Sequence, residues 1–130
     1  LLTGKPYSVF LKNRKKERSF RIKTIILNTN REILFDRINK RVYKMIENGL
    51  EEEARRLYPF RSSNALKTVG YKEMFDLLDQ NISLKDAIKS IQANTRKYAR
   101  KQITWFRKYD DAVWYEPSDL EDIIYYIENG

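Results

Sequence analysis

Ser83-Leu84-Lys85-Asp86-Ala87-Ile88-Lys89-Ser90-Ile91-Gln92-Ala93-Asn94-Thr95-Arg96-Lys97-Tyr98-Ala99-Arg100-Lys101-Gln102-Ile103-Thr104-Trp105-Phe106-Arg107-Lys108 reads as the longest helix of the chain. Ser83 followed three residues later by Asp86 is a helix-start signal, because a short oxygen-bearing side chain satisfies a free N–H of the first turn. At about 100° per residue, Lys89, Arg96, Arg100 and Arg107 fall in one narrow stripe and Lys97, Lys101 and Lys108 in the stripe beside it. Leu84, Ala87, Ile88, Ile91, Tyr98, Ala99, Trp105 and Phe106 take the opposite arc, so one face is expected to pack and the other to present cations. A structural surface helix normally mixes acids with its lysines, since like charges one turn apart repel. Residues 87 to 109 contain no acid, and that leaves the face open to an external anion such as phosphate. Gln102 falls within the apolar arc, where an amide must find hydrogen bonds; Thr104 and Trp105 add a hydroxyl and an indole among the cations. Amides read base edges and aromatic rings stack on bases. The plainer alternatives are a solvated basic face, with Gln102 capping a loop and Trp105 in the core.

Upstream, Phe20, Ile22, Thr24 and Ile26 alternate before the chain turns apolar on both faces, which predicts a strand from Phe20 to Leu27 entering a buried sheet. Leu34, Ile38, Val42 and Met45 then recur at helical spacing over Arg31 to Asn48, with Thr29 or Asn30 as the cap and Gly49 as the stop. A shorter helix over Glu51 to Leu57 ends before Pro59, and Tyr71, Met74, Phe75 and Leu78 mark another. Downstream, Val113 to Tyr115 is a short strand, and Ser118 with Glu121 marks the start of a last helix bearing Leu120, Ile123, Ile124 and Ile127. The sum is one mostly helical domain with two short strands far apart in sequence. Two strands rarely make a stable sheet alone, so these are expected to complete a sheet whose other strands lie elsewhere. Strand edges left open in this way would favour marginal stability or self-association.

Composition narrows the chemistry. The 130 residues hold no cysteine and no histidine, which removes disulfides, thiolate nucleophiles, imidazole bases and thiolate or imidazole metal sites. No run is apolar enough for a membrane span or signal peptide, and a cytoplasmic location is expected. The net charge of +8 is unevenly placed. Residues 1 to 24 carry eight basic residues against Glu17, residues 87 to 109 carry seven against none, and residues 110 to 130 carry only acids. Concentrated charge of this kind makes a field that draws polyanions. Leu1 to Pro6 lacks an initiator Met and reads as a helix end, followed by polar residues 11 to 19 as a loop, so the chain is expected to be a fragment.

Asn64-Ala65-Leu66-Lys67-Thr68-Val69-Gly70-Tyr71-Lys72-Glu73, and later Tyr98-Ala99-Arg100-Lys101-Gln102-Ile103-Thr104-Trp105-Phe106-Arg107, resemble the C-terminal signatures of the tRNA dimethylallyltransferase family. Leu1-Thr3-Gly4-Lys5-Pro6 and the stretch from Arg31 to Leu57 look similar to it in the same order, and the resemblance weakens only after Tyr115. It implies the C-terminal part of a P-loop-type α/β fold with a parallel sheet. The implied reaction moves a dimethylallyl group from dimethylallyl diphosphate to the exocyclic amine of the adenosine just 3′ of the anticodon, with magnesium assisting. The family's P-loop and general-base aspartate have no counterpart here, because no G-x-x-x-x-G-K-[ST] occurs. The chain is therefore expected to hold no catalytic residue and no metal ligand and to be inactive alone.

By motif position the resemblance makes Lys67, Thr68, Gly70 and Lys72, together with Arg96, Arg100, Lys101, Gln102, Thr104, Trp105 and Arg107, the contacts to a tRNA anticodon stem-loop. It places Arg55 near the diphosphate, although a helix-surface pair with Glu51 or Glu52 is the simpler reading of that residue. The family more often has Lys-Arg before the glutamine, whereas this chain has Arg100-Lys101, exchanging a forked donor for a point charge at each position. Gly70 suits either a close backbone approach or a turn, and Tyr71 is expected in the core. The competing readings are a stand-alone basic nucleic-acid-binding module and a helical domain that meets an acidic protein.

Overall fold

Two three-residue strands, β1 (Ile25–Leu27) and β2 (Val113–Tyr115), pair in parallel with Ile25 opposite Val113 and Leu27 opposite Tyr115. Parallel partners need a crossover between them, and here the crossover is most of the molecule. The computed structural model describes residues 19–129; the expected helix end and most of the expected loop before the first strand lie outside them.

Chain order is β1, α1 (Arg31–Glu47), α2 (Leu50–Leu57), two 3₁₀ turns (Tyr58–Phe60 and Asn64–Leu66), α3 (Tyr71–Leu78), α4 (Leu84–Phe106), β2 and α5 (Leu120–Asn129). Asn30, not Thr29, caps α1: its Oδ1 accepts from the Glu32 N–H at 2.8 Å. Gly49, at φ +91°, turns the chain from α1 into α2, a conformation that other residues adopt only under strain. Ser83 caps α4 as its spacing predicts, accepting from the Asp86 N–H at 3.2 Å and donating to Asp86 Oδ2 at 2.6 Å. At α5 Ser118 donates its hydroxyl to Asp119 Oδ1 at 3.2 Å, and Asp119 precedes the helix, its carbonyl accepting the Ile123 N–H at 3.0 Å and its carboxylate the Glu116 N–H at 2.8 Å.

The core is the meeting of α1 to α4. Val42, Leu50, Ala54, Met74, Phe75, Ala87 and Ile91 are buried together, with Tyr58, Tyr71 and Met45 packed around them. β1 is shorter than its alternation predicts. Phe20 and Ile22 are exposed, because a strand is defined by its partner and β2 offers only three residues, extended by the bonds of Val113 N–H to Thr24 O and of Asn28 N–H to Tyr115 O. Leu27, Leu120, Ile124 and Ile127 also remain exposed. The sheet and α5 thus present apolar surface that nothing in the described residues covers.

Tyr71 packs as expected, its ring stacked on Phe75, and its hydroxyl donates to Glu53 Oε1 at 2.7 Å. Tyr58 donates likewise to Asp79. Both phenols are held above their ordinary value of 10.0, first by the hydrogen bond to the carboxylate. A raised acid keeps its proton longer in the folded chain, so what these bonds contribute is present below pH 10 and fades as pH rises through the folded value. In an alkaline titration followed by NMR, Tyr71 is expected to ionise later than a model tyrosine and Glu53→Ala to bring it back. An unshifted Tyr71 in the native sequence would show that the bond does not form.

Candidate nucleic-acid interface

Helix α4 is 23 residues long, about 35 Å at 1.5 Å per residue, and it outruns the helices it packs against. Its first half is seated in the core through Ala87 and Ile91. Its second half leaves that core and passes beside the two strands. Tyr98 and Trp105, which the helical wheel places on the packed arc, are therefore 59% and 51% exposed. The wheel gives the direction of a side chain, not whether anything lies opposite it. Trp105 rests edge-on against Phe106 and Tyr109, with ring centroids 5.2 and 5.1 Å apart, so its indole is braced while its face stays open.

Two clefts share the last turns of α4. The larger, about 720 Å³, opens beyond the C-terminal ends of both strands; Asn28, Thr29, Asn30 and Arg31 form one wall, Arg100, Thr104 and Arg107 a second, and Glu116 and Asp119 a third. Ligands of parallel α/β sheets bind outside the carboxyl ends of the strands, and this cleft occupies that place. The smaller, about 360 Å³, is lined by Lys97, Arg100, Lys101, Thr104, Trp105 and Lys108. None of these cations has an acidic partner among the described residues, where the ion pairs are Lys40 with Asp36 and Arg55 with Glu51. Thr104 donates its hydroxyl to the Arg100 carbonyl at 3.0 Å. Gln102 is exposed on the sheet side of α4, in a shallow pocket with Ile26, Leu27 and Phe106. Its amide needs no internal partner there, contrary to the expectation drawn from the apolar arc.

Arg96 is placed differently from Arg100 and Arg107. It is half-buried, donates from Nη1 to Asn39 Oδ1 at 2.6 Å, and lies over the Phe35 ring with Arg31 also over that ring. It ties α4 to α1 in addition to whatever it offers outward.

Lys67, Thr68 and Lys72 are exposed and cluster around Gly70. Gly70 has φ +105° and ψ −64°, and a Cβ there would meet nothing nearer than Met45 Cε at 4.0 Å. The glycine is thus required by the backbone turn rather than by crowding. Lys67 Nζ donates to Asn64 Oδ1 at 3.2 Å. Arg55 sits on α2, exposed, with its guanidinium 3.0 Å from Oε1 of half-buried Glu51, and it lines neither cleft. Sequence reasoning missed Arg31 and Asn30 as cleft residues. A signal was present: a cation in the first turn of a helix opposes the helix dipole and invites the question of what anion it faces. It also missed the bond between Glu73 and Asn94, for which the sequence carries no signal.

A braced open indole among unpaired cations, beside a cleft at the C-terminal edge of a parallel sheet, marks a basic, ligand-accessible part of an α/β protein. The sequence profile of the IPP transferase family matches residues 1–109, and the chain belongs to that family. It is 52% identical over 128 residues to a tRNA dimethylallyltransferase of Christiangramia forsetii, covering 98% of this chain and 42% of the relative. It is 51% identical to tRNA dimethylallyltransferase 1 of Phocaeicola vulgatus, with 98% and 43% covered. A crystal structure of the full-length tRNA isopentenylpyrophosphate transferase from Bacillus halodurans superposes with a TM-score of 0.76 at 38% identity, over 88% of this chain and 39% of that one. The chain thus spans about two-fifths of the length of its curated relatives, and its helices and strand pair are part of a P-loop-type α/β fold.

Proposed function

We propose that this chain is the tRNA-gripping part of a tRNA dimethylallyltransferase, which moves dimethylallyl from dimethylallyl diphosphate to the exocyclic amine of the adenosine 3′ of the anticodon. The observation that carries this reading is the row of Arg100, Lys101, Arg107 and Lys108, unpaired among the described residues and flanking exposed Trp105 on one rigid helix. Guanidinium forks and ammonium groups fix phosphates, an open indole stacks on a base, and a helix holds both at set spacing. Lys67, Thr68 and Lys72, carried on the turn at buried Gly70, supply a second set of contacts. Gln102 and Thr104, both exposed residues, suit base or ribose edges.

The part that cradles the diphosphate, with its general base, lies outside this sequence, so the chain alone is inactive in this reading. Among the described residues no three acids gather to hold a metal ion. In this reading magnesium acts in the rest of the transferase. No helix of the described residues is long and apolar enough to cross a membrane, and a cytoplasmic site of action belongs to the same reading. The free edges of β1 and β2, with the exposed apolar side chains of α5, favour self-association of the chain in isolation.

Titrating the chain into a labelled anticodon stem-loop across a salt series tests the proposal. Binding that weakens steeply with salt is expected. Equal or tighter binding to an acidic protein, without salt-sensitive RNA binding, would favour the protein-interaction reading instead.

Arg55 is proposed for the diphosphate side of the reaction, exchanging Glu51 for the substrate's charge. In the full-length transferase Arg55→Ala is expected to slow transfer by roughly 100- to 1000-fold, the scale of losing one charge-stabilising donor, with tRNA affinity intact. Unchanged turnover would remove Arg55 from the site.

A further inference from the structure

Glu73 is the one buried charged side chain among the described residues, 4% exposed. Its Oε2 accepts the Gly70 N–H at 2.8 Å and its Oε1 accepts from Asn94 Nδ2 at 2.7 Å. A carboxylate taken out of water is costly unless donors meet it. An acid at the third position of a helix can reach back to the first N–H while remaining at the surface, so the cap alone does not require burial. The second bond comes from outside that turn, because Asn94 belongs to α4 and lies 21 residues away.

The two bonds join the two candidate RNA-binding segments. Gly70 is the pivot of the turn bearing Lys67, Thr68 and Lys72. Asn94 sits six residues before Arg100 on α4. A backbone turn at φ +105° has no side chain of its own to hold it, and the carboxylate fixes its N–H instead. We propose that Glu73, through Asn94, is a positioning residue that sets the register between the Gly70 turn and α4, so that both cation sets meet the tRNA backbone already in place. This rests on the RNA-binding reading of the chain. Preorganisation of this kind acts on affinity, since an unlinked turn would have to be ordered at the moment of binding.

The test measures tRNA KM, prenyl diphosphate KM and kcat in the full-length transferase for Glu73→Ala, Glu73→Gln, Asn94→Ala, Lys72→Ala, Arg100→Ala and the Glu73→Ala/Lys72→Ala pair. Either alanine at the linkage is expected to raise tRNA KM about tenfold, the scale of losing hydrogen bonds to a charged group, with kcat and prenyl diphosphate KM within about twofold. Glu73→Gln should be largely rescued: its carbonyl accepts the Gly70 N–H, and Asn94 can turn its amide to accept from the new NH₂. In the pair, Lys72→Ala should add little, because a misplaced turn already holds Lys72 away from its phosphate. A fall in kcat with unchanged tRNA KM, or full additivity of the pair, would reduce Glu73 to a stability role and overturn the proposal. If Glu73→Ala does not fold, Asn94→Ala, which removes one bond at a partly exposed residue, and Glu73→Gln still decide it. Should Lys72→Ala and Arg100→Ala themselves leave tRNA KM unchanged, the RNA-binding reading fails and this proposal with it. Sensitivity to those two with indifference to Glu73 and Asn94 rejects the linkage alone.

Discussion

Exchanging Arg100 and Arg107 for alanine together is expected to weaken binding of an anticodon stem-loop by roughly 100-fold at low salt, about tenfold for each charge-assisted hydrogen bond to phosphate that is removed. Both residues are exposed, line the larger cleft, and have no acid partner among the described residues. Nothing internal is broken by removing them, and surface changes of this kind shift stability by about 0.5 kcal/mol or less. Loss of binding can therefore be assigned to the interface. The salt dependence supplies a second readout. Each phosphate neutralised contributes roughly 0.7 to 0.9 to the slope of log affinity against log salt, so the double variant should flatten that slope by about 1.5. Arg96→Ala is the informative comparison, because Arg96 bonds Asn39 and covers Phe35. It is expected to lower stability as well as affinity. Unchanged binding and slope in the double variant would show that the cleft side of α4 does not face RNA.

Ile91→Ala is expected to produce the largest loss of stability of any single truncation on α4. Ile91 is 1% exposed and packed with Val42, Met74 and Ala87, where α1, α3 and α4 meet. Truncating a side chain so enclosed removes its transfer energy and leaves a cavity, together about 2–5 kcal/mol. Against a total on the order of 5–15 kcal/mol, that is a large share, and for a chain of this length it corresponds to a fall in Tm of about 10 °C. Chemical denaturation in urea measures the difference directly. Trp105→Ala, at a site half open to solvent, should change stability far less while reducing RNA affinity. The two variants thus separate the half of α4 that holds the fold from the half that serves the interface. A loss at Ile91 no greater than that at Trp105 would place the core elsewhere.

Much of the secondary structure was legible because its causes are local. Helical spacing of Leu34, Ile38, Val42 and Met45, the Ser83 cap, the Gly49 stop and the Pro59 break act within a turn or two of where they are written, and the end of α1, both ends of α2 and the start of α4 fall within two residues of those signals. Charge segregation and the motifs around Gly70 and Trp105 are likewise properties of the sequence as written, and they sufficed to point to the family.

Burial and pairing were settled only by tertiary structure, because they depend on what lies opposite. Tyr98 and Trp105 share a wheel face with Ile91, yet they are exposed because α4 extends past its neighbours. Arg96 shares a stripe with Arg100 and Arg107, yet Asn39, 57 residues earlier, draws it inward. The Phe20 to Leu27 alternation reads as eight residues of strand, but only three pair, since β2 provides only three. Glu73 reads as an ordinary first-turn acid; the approach of Asn94 across the interface between α3 and α4 makes it a buried link. Local spacing sets which way a side chain points, and the fold decides whether it meets solvent, a partner or a ligand.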